Sequence, residues 1–305
     1  MRPELDIVIP CYGDVDLVKT SIRSVLGQSD GSWQLILLDD GMPGAPLRQW
    51  VSALGDPRVR YVRNEVNLGV NGSFAAALAL TSREYVVFMG ADDVMLPGYV
   101  AQLRDALRRF PGATVVQPGV QVVDSQGRPS RGLADRVKEA TRPRLREMTL
   151  LEGEKLVASL MQGNWTYFPS LCWRRDAVVS FGFRPGLEVA LDLALLVDVL
   201  RAGGSLLVDP EPAFCYRRHD ASYSSTVAVS GHRFAEERAL FGQLADECQA
   251  HGWPHAARAA RLHLTSRLHA ASLLPETLRA RNLPITAALV RHVLAGPERS
   301  PQGVS

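Results

Sequence analysis

The sequence predicts an α/β fold built on a mostly parallel sheet with helices on both faces, followed by a helical C-terminal extension. Three observations carry this expectation. Short apolar runs rich in β-branched and aromatic residues alternate with amphipathic segments as far as Phe110. Several of those runs are apolar without interruption, as strands covered on both faces are. From Ser230 onward the composition turns to Ala, Arg, His and Leu at helical spacing.

Taken in order, residues 5–9 (L-D-I-V-I) read as a first strand, stopped by Pro10. After C-Y-G-D, Asp14 is a suitable N-cap for a helix with Val15, Val18, Ile22, Val25 and Leu26 on one face. Residues 33–38 form a second strand that ends on Asp39, Asp40 and Gly41. A weaker helix over 47–54, a strand over 59–62 and an alanine-rich helix over 73–80 follow. The stretch 84–97, E-Y-V-V-F-M-G-A-D-D-V-M-L-P, is a buried strand running into Gly90, Ala91, Asp92 and Asp93. Pro97 then opens a helix bearing Val100, Leu103, Leu107 and Phe110.

Residues 114–123 read as one or two strands and 124–127 as a turn. Residues 128–146, dense in Arg and Pro, read as a loop that orders over substrate. A helix over 152–161 and an aromatic run over 164–170, expected to pack, precede a strand over 171–174. An apolar helix over 192–200 and short strands over 205–208 and 213–217 complete the α/β part. Two or three helices follow, broken at 252–254 and at Pro284.

Composition narrows the function. The chain has 305 residues, 46% hydrophobic and 22% charged, in the ordinary range of globular proteins. A net charge of +2 argues against nucleic acid as the main partner. Cys11, Cys172, Cys215 and Cys248 lie far apart with no C-x-x-C, so free thiols in a reducing compartment are expected. No signal peptide is visible and no apolar run approaches the roughly 18 residues needed to cross a bilayer. The expected location is cytoplasmic.

Three strand ends carry polar or acidic clusters: after Ile9, at Asp39–Asp40 and at Asp92–Asp93. Parallel strands gather such ends along one sheet edge, where α/β ligands bind. Neither a G-x-x-x-x-G-K-[ST] loop nor G-x-G-x-x-G is present, so a divalent cation must neutralise more of a phosphorylated ligand's charge. The competing reading is a solvated loop with Asp93 as a helix cap.

The order of these pieces resembles the family-2 glycosyltransferases, inverting enzymes of the GT-A nucleotide-sugar fold. The matching motifs are I-P-C-Y-G-D, L-L-D-D-G, N-L-G, the 84–97 stretch, W-R-R-D-A-V-V-S-F-G-F, A-L-D-L-A-L-L-V-D-V-L-R-A-G and C-Y-R-R-H-D-A-S-Y-S-S, between Leu5 and Ser225. The resemblance implies a nucleotide-sugar-binding half over 1–112, an acceptor-binding and catalytic half over 113–228, and a helical extension over 229–305. It implies that Pro10, Tyr12 and Asp14 hold base and ribose, and that Asp40 reads the base edge. Asp92 and Asp93 would contact ribose and a Mn²⁺ or Mg²⁺ ion, with His219 as a further metal ligand. Arg217 and Arg218 would face the leaving diphosphate, and Asp192 would be the catalytic base. Two positions depart from the pattern: Gly90, where many members have Asp, and Leu191, where Glu is usual.

A single displacement with an oxocarbenium-like transition state needs a base for the acceptor hydroxyl and neutralisation of the leaving diphosphate. Asp192 at a helix N-terminus would be held ionised by the helix dipole, with Glu188 as its rival and helix capping as its plainer role. The expected partners are a nucleotide-diphosphate sugar, with UDP favoured, and a hydroxyl on a glycan, lipid-linked glycan or small metabolite. The C-terminal Arg and His are expected to form a solvated face. A contact with anionic lipid on the inner face of the membrane, or a homodimer, is the alternative. Two other functions compete: a nucleotidyltransferase, disfavoured by C-Y-G-D in place of a glycine-rich phosphate loop, and a binding scaffold whose catalysis has lapsed.

Overall fold

In the computed structural model, which describes residues 4–130, 132–218 and 232–294, the first half follows the expected alternation. Strands β1 (Leu5–Cys11), β2 (Trp33–Asp39), β3 (Val59–Arg63) and β4 (Tyr85–Phe88) are linked by α1 (Val15–Leu26), α2 (Arg48–Leu54) and α3 (Gly69–Leu80). These four strands pair in parallel in the order β3-β2-β1-β4. Alternate side chains of β1 serve opposite faces, as a strand period of two requires. Leu5, Ile7 and Ile9 pack with Val18, Ile22 and Val25 of α1, whereas Val8 joins Phe88 and Ala77 on the other side. Asp14 caps α1, its Oδ1 accepting from the Asp16 and Leu17 amides at 2.8 and 3.1 Å.

The second half extends the same sheet with antiparallel pairings. Strand β8 (Cys172–Arg174) runs antiparallel between β4 and β6 (Val115–Val123). β9 (Ser205–Arg217) lies parallel to β6 and takes the short strands β5 (Val94–Met95) and β7 (Thr149–Glu152) antiparallel. The sheet is therefore parallel through β4 and mixed beyond it. β9 is one strand where two were expected: its register against β6 shifts around Gly119, so a bulge bridges Pro210 and Pro212. A Cβ on Gly119 would fall 2.5 Å from the Pro210 carbonyl oxygen, so only glycine fits there.

Helices α4 (Tyr99–Arg109), α6 (Gly153–Gln162) and α8 (Leu191–Arg201) match the expected segments. Two helices do not. α5 (Leu133–Thr141) lies within the stretch expected to be a loop, and α7 (Arg175–Phe181) was not foreseen. Four helices end the described chain: α9 (His232–Ala250), α10 (Pro254–Leu262), α11 (Leu264–Arg279) and α12 (Leu283–Leu294). Leu240, Phe241 and Leu244 of α9, with Ala256 and Ala260 of α10, enter the core beneath α6 and α8. α11 and α12 share a separate small core made by Phe234, Ala270 and Leu289.

Candidate active site

The carboxyl ends of β1, β2 and β4 open on a cavity of about 450 Å³, lined by Pro10, Tyr12, Asp40, Gly69, Ser73 and Gly90 among others. The neighbours Asp39 and Asp40 diverge in role. Asp39 is fully buried and turned inward, accepting from the Met42 amide at 2.8 Å and pairing with Arg63 at 2.7 Å and with the Tyr61 hydroxyl. Asp40 reaches the cavity wall, its Oδ1 held by Asn64 Nδ2 at 2.8 Å and by the Leu68 amide at 3.0 Å. Gly41, at φ 75°, permits this turn: a Cβ there would fall 2.9 Å from the Asn67 nitrogen. Ser73 is 2% exposed and its hydroxyl has no protein partner, so a polar atom is left over in the cavity wall. Tyr12 stands at the lip, 56% exposed. Asp14 does not line the cavity; capping α1 occupies it, since that helix begins one residue later.

The second acidic pair lies where β4 ends. Asp93 is 1% exposed. Its Oδ1 accepts the Arg217 amide at 2.9 Å, while its Oδ2 is buried without a hydrogen-bond partner. Burial, and then the adjacent Asp92, raise its pKa well above the usual carboxylate range. Two crowded carboxylates, one with an orphaned oxygen, fit a divalent cation with oxygen ligands. Gly90 makes room for them: a Cβ there would sit 2.4 Å from Asp93 Oδ2 and 3.1 Å from Asp92 Oδ1. The departure at position 90 is thus a steric accommodation of the pair that follows. Among the described residues no group of three or more His, Cys, Asp and Glu side chains is assembled for a metal. His219 lies outside the described residues.

Between the acid pair and Asp192 lie sets of polar contacts that succeed one another through the Arg217–Arg218 backbone and one turn of α5. Arg217 braces the pair, its Nε donating to the Asp92 carbonyl at 2.8 Å and its Nη1 to the Asp124 and Ser125 carbonyls at 3.2 Å. Its guanidinium is thereby engaged with three backbone carbonyls, and the residue is 8% exposed. Arg218 stays part-exposed and pairs with Asp135 of α5 at 2.8 Å, over the face of the Tyr216 ring. Tyr167 also donates to Asp135, at 3.2 Å. One turn on, Lys138 donates to the carbonyls of Asn164 and, at 2.6 Å, Thr166. Asn164 Nδ2 in turn donates to Asp192 Oδ2 at 3.2 Å, and the Leu193 amide to Oδ1 at 2.8 Å.

Charge follows this geometry. Burial raises the pKa of Asp192, and the Lys138 ammonium opposes that rise. Burial likewise pushes Lys138 down to about 8, opposed by Asp192. In the role of base that the sequence resemblance implies, Asp192 must be ionised to accept a proton, so activity is expected to rise with pH through its titration. Removing the cation with Lys138→Met is expected to move that acidic limb of the pH–rate profile upward, and Lys138→Arg to leave it near its original place. An unmoved limb in the Met variant would separate Lys138 from the ionisation of Asp192.

The loop before α8 is held from two further elements. Asn71 of α3 donates to the Arg184 and Leu187 carbonyls at 2.8 and 2.6 Å. Glu236 of α9 accepts three successive amides, Glu188, Val189 and Ala190, at 2.9, 2.8 and 3.0 Å. This carboxylate fixes the approach to α8 and thereby the place of Asp192. Leu191 is 4% exposed and packs in the core, so the position where Glu was anticipated contributes packing. Glu188 is exposed at the rim, its Oε1 3.9 Å from where a Cβ on Gly69 would lie. Lys138, Asn164 and Glu236 escaped the sequence reading. The only local signal was Leu133, Val137 and Ala140 at helical spacing within the Arg- and Pro-rich stretch.

Residues 6–177 match the family model described as glycosyl transferase family 2. The chain belongs to glycosyltransferase family 2. Among curated relatives of this family, the succinoglycan biosynthesis protein ExoO of Rhizobium meliloti is 27% identical over 233 residues, covering 74% of this chain and 64% of ExoO. The match thus spans less than two thirds of that relative's length. Among solved structures, S. aureus TarS 1–349 in complex with UDP-GlcNAc superposes with a TM-score of 0.71 at 14% identity, over 95% of this chain and 81% of TarS. The mannosyltransferase PcManGT of Pyrobaculum calidifontis, in complex with GDP-Man and Mn²⁺, gives 0.59 at 16% identity, over 95% and 79%. At these identities the superpositions establish a shared GT-A fold with a helical C-terminal region.

Proposed function

We propose that this chain is a metal-dependent, inverting glycosyltransferase that moves a sugar from a nucleotide-diphosphate donor, with UDP favoured, to a hydroxyl of a glycan or lipid-linked glycan. The observation that supports the reading is the series of polar contacts from Asp93 through Arg217, Arg218, Asp135 and Lys138 to Asn164 and Asp192, which links the two carboxylate centres that the reading assigns to one cleft. Pro10 and Tyr12 at the end of β1, Asp40 at the end of β2 and the unpartnered Ser73 hydroxyl of α3 would hold the nucleoside. Asp92 and Asp93 would hold a Mn²⁺ or Mg²⁺ ion, with phosphate and water oxygens completing its shell. Such an ion stabilises the negative charge of the departing diphosphate.

In the transfer step the acceptor oxygen bonds to the anomeric carbon as the bond from that carbon to the phosphate oxygen breaks. The proton of the acceptor hydroxyl passes to Asp192, and the electron pair of the broken bond leaves with the nucleoside diphosphate. Lys138 keeps Asp192 ionised before the step, and Asn164 orients it. Arg218 supplies positive charge on the diphosphate side. That ExoO is named for succinoglycan biosynthesis supports a polysaccharide acceptor. UDP-GlcNAc in TarS and GDP-Man with Mn²⁺ in PcManGT support the donor class and the cation.

The test is nucleotide release from UDP-, GDP- and dTDP-sugars, each with and without Mn²⁺. Nucleoside diphosphate released from one donor, and only with the metal, is expected. Pyrophosphate release would assign the chain to nucleotidyl transfer, and absence of turnover with intact donor binding would make it a lapsed scaffold.

A further inference from the structure

The last two helices present an apolar surface outward. Seven of the thirteen exposed large apolar side chains among the described residues fall between 262 and 294. Leu264 and Leu268 lie one turn apart on α11, and Leu283, Val290 and Leu294 share one stripe of α12, with Leu283 73% and Leu294 76% exposed. The opposite side of each helix already has its partner, in the small core of Phe234, Ala270 and Leu289. A helix packed on a soluble protein normally turns polar residues outward. Here the outward stripe is apolar as well. No helix among the described residues is long and apolar enough to cross a membrane.

Charge narrows what covers this surface. Residues 254–294 hold six arginines and one acid, Glu276, a balance of +5 in a chain whose total is +2. At the turn between α11 and α12, Arg279 and Arg281 are exposed beside Leu278 and Leu283. Exposed leucines flanked by arginines match the boundary of an anionic bilayer, where acyl chains take the apolar side chains and headgroups the cations. A second copy of the chain would bring two surfaces of the same sign together without a counter-charge.

We propose that the α11–α12 hairpin docks on an anionic lipid surface, its leucines entering the interface and Arg279 and Arg281 engaging lipid phosphates. The surface belongs to the bundle of α9, whose Glu236 holds the loop before Asp192. Docking would therefore hold the cleft close to the bilayer. The inference does not depend on the transferase reading, because its test uses no substrate.

The full chain is co-sedimented with vesicles of phosphatidylcholine alone and of phosphatidylcholine mixed with phosphatidylglycerol. Binding is expected on the anionic vesicles only, weakening as salt is raised. Arg279→Gln with Arg281→Gln is expected to weaken it about 30-fold, and Leu283→Ser with Leu294→Ser on the order of a hundredfold. Melting temperatures should be unchanged in both pairs. No binding, or equal binding to neutral vesicles, overturns the proposal. So does a dimer in light scattering that Leu283→Ser disperses, which would give the face to a second copy.

Discussion

Asp192→Asn is expected to lower kcat for sugar transfer by about a hundred- to ten-thousand-fold while leaving donor affinity within about twofold by calorimetry. The amide keeps the size of the side chain and its oxygen can still accept the Leu193 amide, while its NH2 meets Asn164 once that side-chain amide turns its oxygen inward, the Thr166 hydroxyl reversing its role. What it removes is the ability to take a proton. If Asp192 served only to cap α8, Asn would serve nearly as well and activity would persist. Conversely, Lys138→Met in the Asp192→Asn background should add little, because Lys138 acts through the charge on Asp192. Full activity in Asp192→Asn would remove this residue from the chemistry.

The second large effect concerns the acid pair. Asp92→Ala with Asp93→Ala is expected to abolish the Mn²⁺-dependent part of donor binding and to lower kcat/KM by about a thousandfold or more, as loss of several kcal/mol of charge stabilisation requires. The structure adds a stability signature that distinguishes a metal site from a merely acidic loop. The folded pKa of Asp93 is raised above its unfolded value. The native state therefore binds more protons, and metal-free stability falls as pH rises above the usual carboxylate range. Asp93→Asn keeps an acceptor for the Arg217 amide and removes the buried charge, so without metal it should melt higher than the parent protein at neutral pH. Mn²⁺ should raise the melting point of the parent and not of the variant. Equal responses to Mn²⁺ in both would count against the site.

Much of the first half was readable because its physics is local. Strands β1, β2 and β4 announce themselves as apolar runs, their side chains alternate between two buried faces, and they end within two residues of Pro10, Gly41 and Gly90 in turn. Roles that depend on distant partners were not readable. Asp39 and Asp40 are adjacent, yet Arg63 and Tyr61 claim one while the cavity takes the other. Arg217 and Arg218 are adjacent as well; carbonyls brought by the loops of Asp92 and Asp124 bury the first, and Asp135 holds the second. Helix α5 was hidden by the Arg and Pro around it, although it positions Lys138 beside Asp192. Nothing within residues 186–192 announces that Glu236, more than forty positions later, accepts three of their amides.

The central claim is that Asp192 and the Asp92–Asp93 pair stand on opposite sides of one bound sugar. A crystal structure of the chain with Mn²⁺ and a non-hydrolysable UDP-sugar tests it most directly. The account predicts the metal between the diphosphate and Asp92–Asp93, with the Asp192 carboxylate on the face of the anomeric carbon away from the leaving oxygen, within one hydroxyl's reach. A sugar seated with Asp192 on the leaving-group side, or beyond contact with it, would contradict the account.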